Sequence, residues 1–331
     1  MIPFRPALWL PGPNLQTLWA GLVRKRPHIM TRRERLELPD GDFIDLDWAD
    51  AGLDETSPLV IVVHGLEGSI RSRYAAGIMK TLHALGIRTV LMNLRGCSGE
   101  PNRLARRYHS GDTGDLAYLV DWVRARQPDA ELGAVGYSLG GNVLLKWLGE
   151  TGSDNPLTTA VAVSVPFQLK RSSQRLGHGL SRLYERVLLR SLKRSIEEKL
   201  ARFELPLDAG ELANISSMYE FDDRVTAPLH GFQDAEEYYE RASSRQFLGS
   251  IQTPTLILHA EDDPFMYPDV APTTGELSPQ VQLELSRHGG HVGFVSGPPW
   301  APRYWLDQRI SLWLTERLGS TQADASIASG Q

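Results

Sequence analysis

The sequence predicts an α/β fold: a mostly parallel sheet covered on both faces by helices, with an N-terminal antiparallel hairpin and a helical cap insertion. Continuous apolar runs at Leu59–Val63, Ile87–Met92, Leu132–Val135 and Ala160–Val165 alternate with helical patterns at 74–85 and 115–126. Strands that are apolar on both faces and separated by helices belong in a parallel sheet with no solvent-facing side. Residues 34–48 read as a hairpin, because alternating apolar residues flank the turn Pro39-Asp40-Gly41, whose glycine supplies a positive φ.

The alternation stops at Pro166. Residues 168–200 are helical in pattern and rich in Arg and Lys, and 214–246 is largely helical as well. Strand signals return at Pro254–His259 and Gln280–Leu285, and Pro302–Leu318 closes the fold as an amphipathic helix. The expected organisation is therefore an N-terminal arm (1–33), a core (34–166 and 251–319), a helical cap insertion (167–250) above the strand ends, and a small, polar, disordered tail (320–331).

Composition narrows the setting. A chain of 331 residues can bury a large core, and a formal net charge of −5 gives no footprint for nucleic acid. The single cysteine, Cys97, excludes an intrachain disulfide and any cysteine-based zinc cluster, and suits a reducing compartment. Prolines interrupt Met1–Pro13, where a signal peptide would need an apolar run. No window has the length of a bilayer span, so the expected location is cytoplasmic.

Chemistry concentrates at Gly136-Tyr137-Ser138-Leu139-Gly140, a G-x-S-x-G motif between the strand-like run ending at Val135 and the helical stretch 139–150. In that strand–turn–helix setting the motif is a nucleophile elbow, which exposes the Ser138 hydroxyl and aims the Leu139 N–H at a developing oxyanion. A serine needs a base and the base needs an orienting carboxylate, in the chain order Ser, Asp or Glu, His for this layout. The acidic turn Ala260-Glu261-Asp262-Asp263-Pro264 supplies Asp263, with Asp262 read as bonding local backbone N–H groups or pointing outward. The glycine-flanked loop at 287–294 supplies His291 as base, with His288 as the alternative. A second oxyanion donor is expected from Leu66 in His64-Gly65-Leu66-Glu67-Gly68, where His64 itself is read as structural.

Other marked residues receive structural readings. Arg95 is read as bracing its loop, Cys97 as inert, and His109 with Asp112 as bracing the entry to the next helix. No metal site is expected, because no partner ligand has suitable spacing. In the cap, Arg171, Arg175, Arg182, Arg186, Arg190, Lys193 and Arg194 interleave with Leu176, Leu180, Leu183, Tyr184, Val187 and Leu188. The structural reading is a solvated lid helix; the functional one is attraction to anionic lipid or to an acyl substrate at a surface. The cap's apolar residues, Leu183 and Val187 among them, are expected to line the entrance to Ser138.

Taken together, these motifs resemble those of the YheT-like esterases, a branch of the α/β-hydrolase superfamily, over nearly everything from Pro11 to Leu318. The likeness extends from His64–Gly68 through Asn93–Asn102, Tyr108–Gly111, Gly136–Gly141, Glu220–Asp223 and Ala260–Met266 to His288–Phe294. One departure stands out: Asn14-Leu15-Gln16-Thr17 begins with Asn where the family has His. The resemblance implies hydrolysis of a small-molecule carboxylic ester by Ser138, Asp263 and His291, without a cofactor. Acyl esters lead as the substrate class, since eukaryotic relatives act on fatty-acyl esters and lipids. The alternatives are acyl transfer to an alcohol and a non-catalytic ligand-binding module.

Overall fold

The computed structural model describes residues 3–319, so the tail expected at 320–331 lies outside the described residues. The apolar runs become the strands of one eight-stranded sheet: β1 (Arg32–Glu37), β2 (Phe43–Ala49), β3 (Leu59–Val63), β4 (Arg88–Met92), β5 (Leu132–Tyr137), β6 (Thr159–Val163), β7 (Thr255–Ala260) and β8 (Val281–Ser286). Their order is β1-β2-β4-β3-β5-β6-β7-β8. The β1–β2 and β2–β4 pairs are antiparallel and every other pair in this sheet is parallel.

The pleat explains why the central strands are apolar throughout. On β3, Leu59, Ile61 and Val63 point into a core shared with helices α3 (Gly114–Arg126) and α4 (Leu139–Thr151). Val60 and Val62 point the other way, into a core shared with α2 (Arg73–Ala84) and the closing helix Trp305–Thr315. The closing helix is shorter than its sequence pattern, because Arg303 and Tyr304 pair antiparallel with Ser296 and Val295 before it starts.

Between β6 and β7 the chain leaves the sheet. The single helical pattern expected over 168–200 divides into α5 (Leu169–Leu176) and α6 (Ser181–Leu200). The break falls at Gly177-His178-Gly179, where Gly179 takes φ 58°. A short helix at Met218–Phe221 then runs into a π-helical turn at Asp222–Thr226, and Ala235–Ala242 forms a further helix. Leu189, Leu192, Ile196, Leu212 and Phe221 build a separate apolar cluster in this region.

The β1–β2 turn is fixed by charge. Arg95, 3% exposed, reaches Asp115 at 2.6 Å, Asp40 at 2.7 Å and Asp42 at 3.1 Å. Asp42 also accepts from Asn102 and from the N–H groups of Phe43 and Arg103. Arg95 therefore braces loops, as its position after β4 predicts. Removing one partner of a buried ion pair leaves the others uncompensated, at a cost of about 3–5 kcal/mol. Arg95→Met should lose about that much in urea unfolding while the folded fraction keeps its turnover number; an unchanged midpoint would contradict the bracing role.

Candidate active site

β5 ends at Tyr137 and α4 starts at Leu139, so Ser138 alone makes the turn, at φ 51°. A non-glycine residue there costs on the order of 1–3 kcal/mol and persists only where its surroundings hold it. The Ser138 N–H donates to the Val163 carbonyl at 2.8 Å, and its own carbonyl accepts the Asn142 N–H at 3.0 Å. Glycines make the close approach feasible: a methyl on Gly140 would strike the carbonyls of Val63 and His64, and one on Gly136 would strike the Gly140 backbone. Among the described residues, every other non-glycine at positive φ also sits at this carboxyl edge of the sheet: Glu67, Ser164, Val292 and Phe294.

The loops after β7 and β8 bring Asp263 and His291 to this serine. His291 Nε2 lies 3.0 Å from Ser138 Oγ, and its Nδ1 lies 2.8 Å from Asp263 Oδ2. The other Asp263 oxygen accepts the Phe265 N–H, and the side chain is 1% exposed. His288 is exposed and bonds Asp262 instead, so it does not approach Ser138. Asp262 departs from its expected local role, because it accepts the N–H of Gly290 at 2.9 Å and so ties the acidic turn to the histidine loop.

Several orienting groups escape a reading by sequence order. Phe265 stacks on the His291 ring at 4.0 Å between centroids and 7° between planes. Thr17, on α1 (Pro13–Leu18), accepts the His291 N–H at 2.9 Å, while Gln16 exchanges two hydrogen bonds with the Val295 backbone. The Asn14–Thr17 motif was the available signal. Asn14 itself accepts from the Tyr184 hydroxyl of α6 at 3.0 Å.

Leu66 and Leu139 both border the cavity beside Ser138, and no described carbonyl takes either N–H. A Cβ on Gly65 would come within 3.2 Å of the Ser138 Cβ, which shows how closely this loop abuts the elbow. The loop is anchored by Glu67, at φ 54°, whose carboxylate accepts from Arg107 at 2.6 Å, Tyr108 at 2.7 Å and Ser191 of α6 at 3.0 Å. Burial pushes the Glu67 carboxyl up, but the Arg107 charge and these hydrogen bonds outweigh it and leave the pKa below its ordinary value.

His64 accepts the Leu94 N–H through Nε2, and its Nδ1 faces the Gly65 carbonyl, so it bridges two loops. Burial lowers its pKa to about 4, which keeps it neutral. Burial raises the Cys97 thiol to about 12, consistent with an inert residue. His109 and Asp112 gain a neighbour that spacing did not reveal: His230 comes near enough that one ligand atom from each lies within 4.8 Å of the others. Yet Gly111 N–H already donates to His109 Nδ1 and Arg106 donates to Asp112. Burial, followed by the charges of Arg106, Lys146 and Arg241, lowers His109 to about 3, a field that also opposes a cation.

The cavity above Ser138 has a volume of about 760 Å³. Its sheet side carries Ser138 and His291, and its far side carries Leu176, Leu188, Leu192, Ile196, Phe221 and Val225. Leu183 and Val187 are not among its walls, contrary to expectation; they are 58% and 67% exposed. The inward face of α6 runs through Glu185, Leu189, Leu192 and Ile196, which puts 183 and 187 on the opposite side. One carboxyl borders the cavity without a cation beside it. Asp222 accepts only from Thr226 and Tyr239 at its two oxygens, and enclosure by protein raises it to about 6.

A profile described as the alpha/beta hydrolase fold matches residues 58–298. The chain is 44% identical over 308 residues to "Putative esterase YheT" of Escherichia coli (strain K12), covering 92% of this chain and 91% of that one. It is 32% identical over 302 residues to Phospholipase ABHD3 of Mus musculus, covering 89% and 74%. Among solved structures, the Pyrococcus furiosus esterase Pf2001 superposes with a TM-score of 0.57 at 17% identity, over 88% of this chain and 92% of that one, a likeness of fold alone.

Glu67→Gln should lower stability by about 3–5 kcal/mol, since it strips Arg107 of its counter-charge. It should also reduce kcat more than KM on a soluble ester, and unchanged kinetics would show that the anchor does not shape the loop. For Asp222, the folded pKa lies above the unfolded one. Its stabilising contribution is full below about pH 4 and is lost as pH rises through about 6. Melting temperatures should therefore fall between pH 4 and 7 more steeply in the native chain than in Asp222→Asn; parallel curves would contradict it.

Proposed function

Since the chain belongs to the α/β-hydrolase-fold family and is a carboxylic-ester hydrolase, we propose that Ser138 is its nucleophile, His291 its base and acid, and Asp263 the carboxylate that orients His291. Ser138 Oγ attacks the ester carbonyl carbon while its proton passes to His291 Nε2. The tetrahedral oxyanion is held by the N–H groups of Leu66 and Leu139. The imidazolium, stabilised by Asp263, returns that proton to the departing alkoxide and leaves an acyl-enzyme on Ser138. A water then gives a proton to His291 and attacks the acyl carbon, and the proton returns to Ser138 as the acid leaves.

The observation that carries this reading is the unbroken chain from Asp263 through His291 to a strained, cavity-facing Ser138, at 2.8 and 3.0 Å. The apolar far wall supports an acyl ester as substrate, with the acyl chain against Leu188, Leu192 and Ile196. A phospholipase among the relatives agrees with that class.

A fluorophosphonate probe should add its mass at Ser138 alone, and Ser138→Ala should lose several orders of magnitude in kcat against p-nitrophenyl esters. Turnover should rise from acetate to medium-chain esters, and Ile196→Trp, which fills the far wall, should reverse that preference. Failure of labelling, or full activity in Ser138→Ala, would overturn the assignment.

A further inference from the structure

The residues that the cap turns away from the cavity form a pattern of their own. Leu180, Leu183 and Val187 repeat at i, i+3, i+7 on the outer face at the start of α6, 66%, 58% and 67% exposed. On α1 and the π-helical turn that continues it (Trp19–Val23), Leu15, Leu18 and Leu22 repeat at the same spacing and are also exposed. Each repeat is an apolar stripe on one helical face that is exposed among the described residues. The two stripes are neighbours, because Tyr184, next to Leu183, bonds Asn14, next to Leu15. The cavity reaches the surface beside the second stripe. Of the residues that line it, the exposed ones are Gly21, beside Leu22, and Arg71.

Charge selects the occupant. Arg182, Arg186 and Arg190 run at i, i+4, i+8 alongside the α6 stripe, and Lys25, Arg26 and Arg71 flank the other; all are exposed. Among the described residues none of these has a carboxylate partner, whereas Arg194, further along α6, pairs with Glu198. The chain as a whole carries −5, so six exposed cations with no carboxylate partner among the described residues are a local departure. A second copy of the same face would meet like charge. An apolar stripe with a basic row beside it suits a surface that is anionic outside and hydrocarbon beneath.

We propose that the α6 and N-terminal stripes form one platform that docks on an anionic lipid bilayer, seating the cavity mouth at the headgroup level. Apolar side chains enter the acyl boundary while the arginines stay with the phosphates. An acyl chain then passes from the bilayer into the cavity without crossing bulk water. The contact is peripheral: among the described residues, no helix is long and apolar enough to cross a membrane.

The test is binding, so it is independent of the catalytic assignment. Full-length protein is floated with vesicles of phosphatidylcholine alone or with about one third phosphatidylglycerol, at about 0.1 M and 0.5 M salt. The expected result is at least about tenfold stronger binding to the anionic vesicles, weakened several-fold by the higher salt. Leu183→Glu with Val187→Glu, and separately Leu18→Glu with Leu22→Glu, should each reduce binding about tenfold and leave hydrolysis of a water-soluble short-chain ester unchanged. Absence of vesicle binding by the native chain, or binding by both double variants as strong as that of the native chain, would overturn the proposal. So would a dimer in light scattering that dissociates on Leu183→Glu, since the stripe would then serve self-association.

Discussion

The first turn of α4 lies against the ends of β3 and β5 with no side chain between them, and the rest of the site depends on that contact. Gly136 and Gly140 leave the backbones close enough that any Cβ would collide with main-chain atoms. That closeness forces Ser138 alone to make the turn, holds it at positive φ, and keeps the loop after β3 against it. The strain is stored locally and balanced by the sheet, because the Ser138 N–H continues the β6 hydrogen bonding at Val163. Nothing flexible intervenes between the rigid sheet and the serine hydroxyl.

What the sequence makes legible follows from what is local. The strands show because both faces of a parallel sheet are buried, so each run is apolar without alternation. The elbow shows because its glycines, strand and helix fall within about twenty residues. Asp263 and His291 show through chain order and the turns around them. Thr17, Phe265 and His230 stay hidden because each acts across a gap that no periodicity bridges. The face of α6 misleads for a different reason. The helix has apolar residues on both sides, Leu189, Leu192 and Ile196 inward and Leu183 and Val187 outward. Periodicity identifies such a helix but does not assign which stripe faces the core.

Buried charge is used unevenly. Around Arg95 and around Glu67, ion pairs tie loops that the sheet alone would leave loose; Glu67 is held below its ordinary pKa, whereas burial leaves Asp115 above its own. The buried histidines His64 and His109 are handled by neutrality, since enclosure pushes them far below physiological pH. Asp222 follows neither pattern: it is enclosed, at a cavity wall, on a π-helical turn, with hydroxyl partners only. Such turns recur where backbone regularity is given up for a side-chain position.

The bond from the His291 N–H to Thr17 spans 274 positions of sequence, and the pairing of Gln16 with Val295 spans 279. The helix that steadies the His291 loop thus precedes that loop by most of the described chain. During synthesis the serine and its elbow can settle into the sheet while the loop that carries His291 does not yet exist. Until that loop arrives the N-terminal helix can meet Tyr184 and Arg73 but lacks the bonds of Thr17 and Gln16. Ser138 and His291 stand 153 positions apart, so a growing chain holds the serine without its hydrogen-bond partner for just under half of its length. The contact between Ser138 and His291 forms only when the early and late segments close on each other.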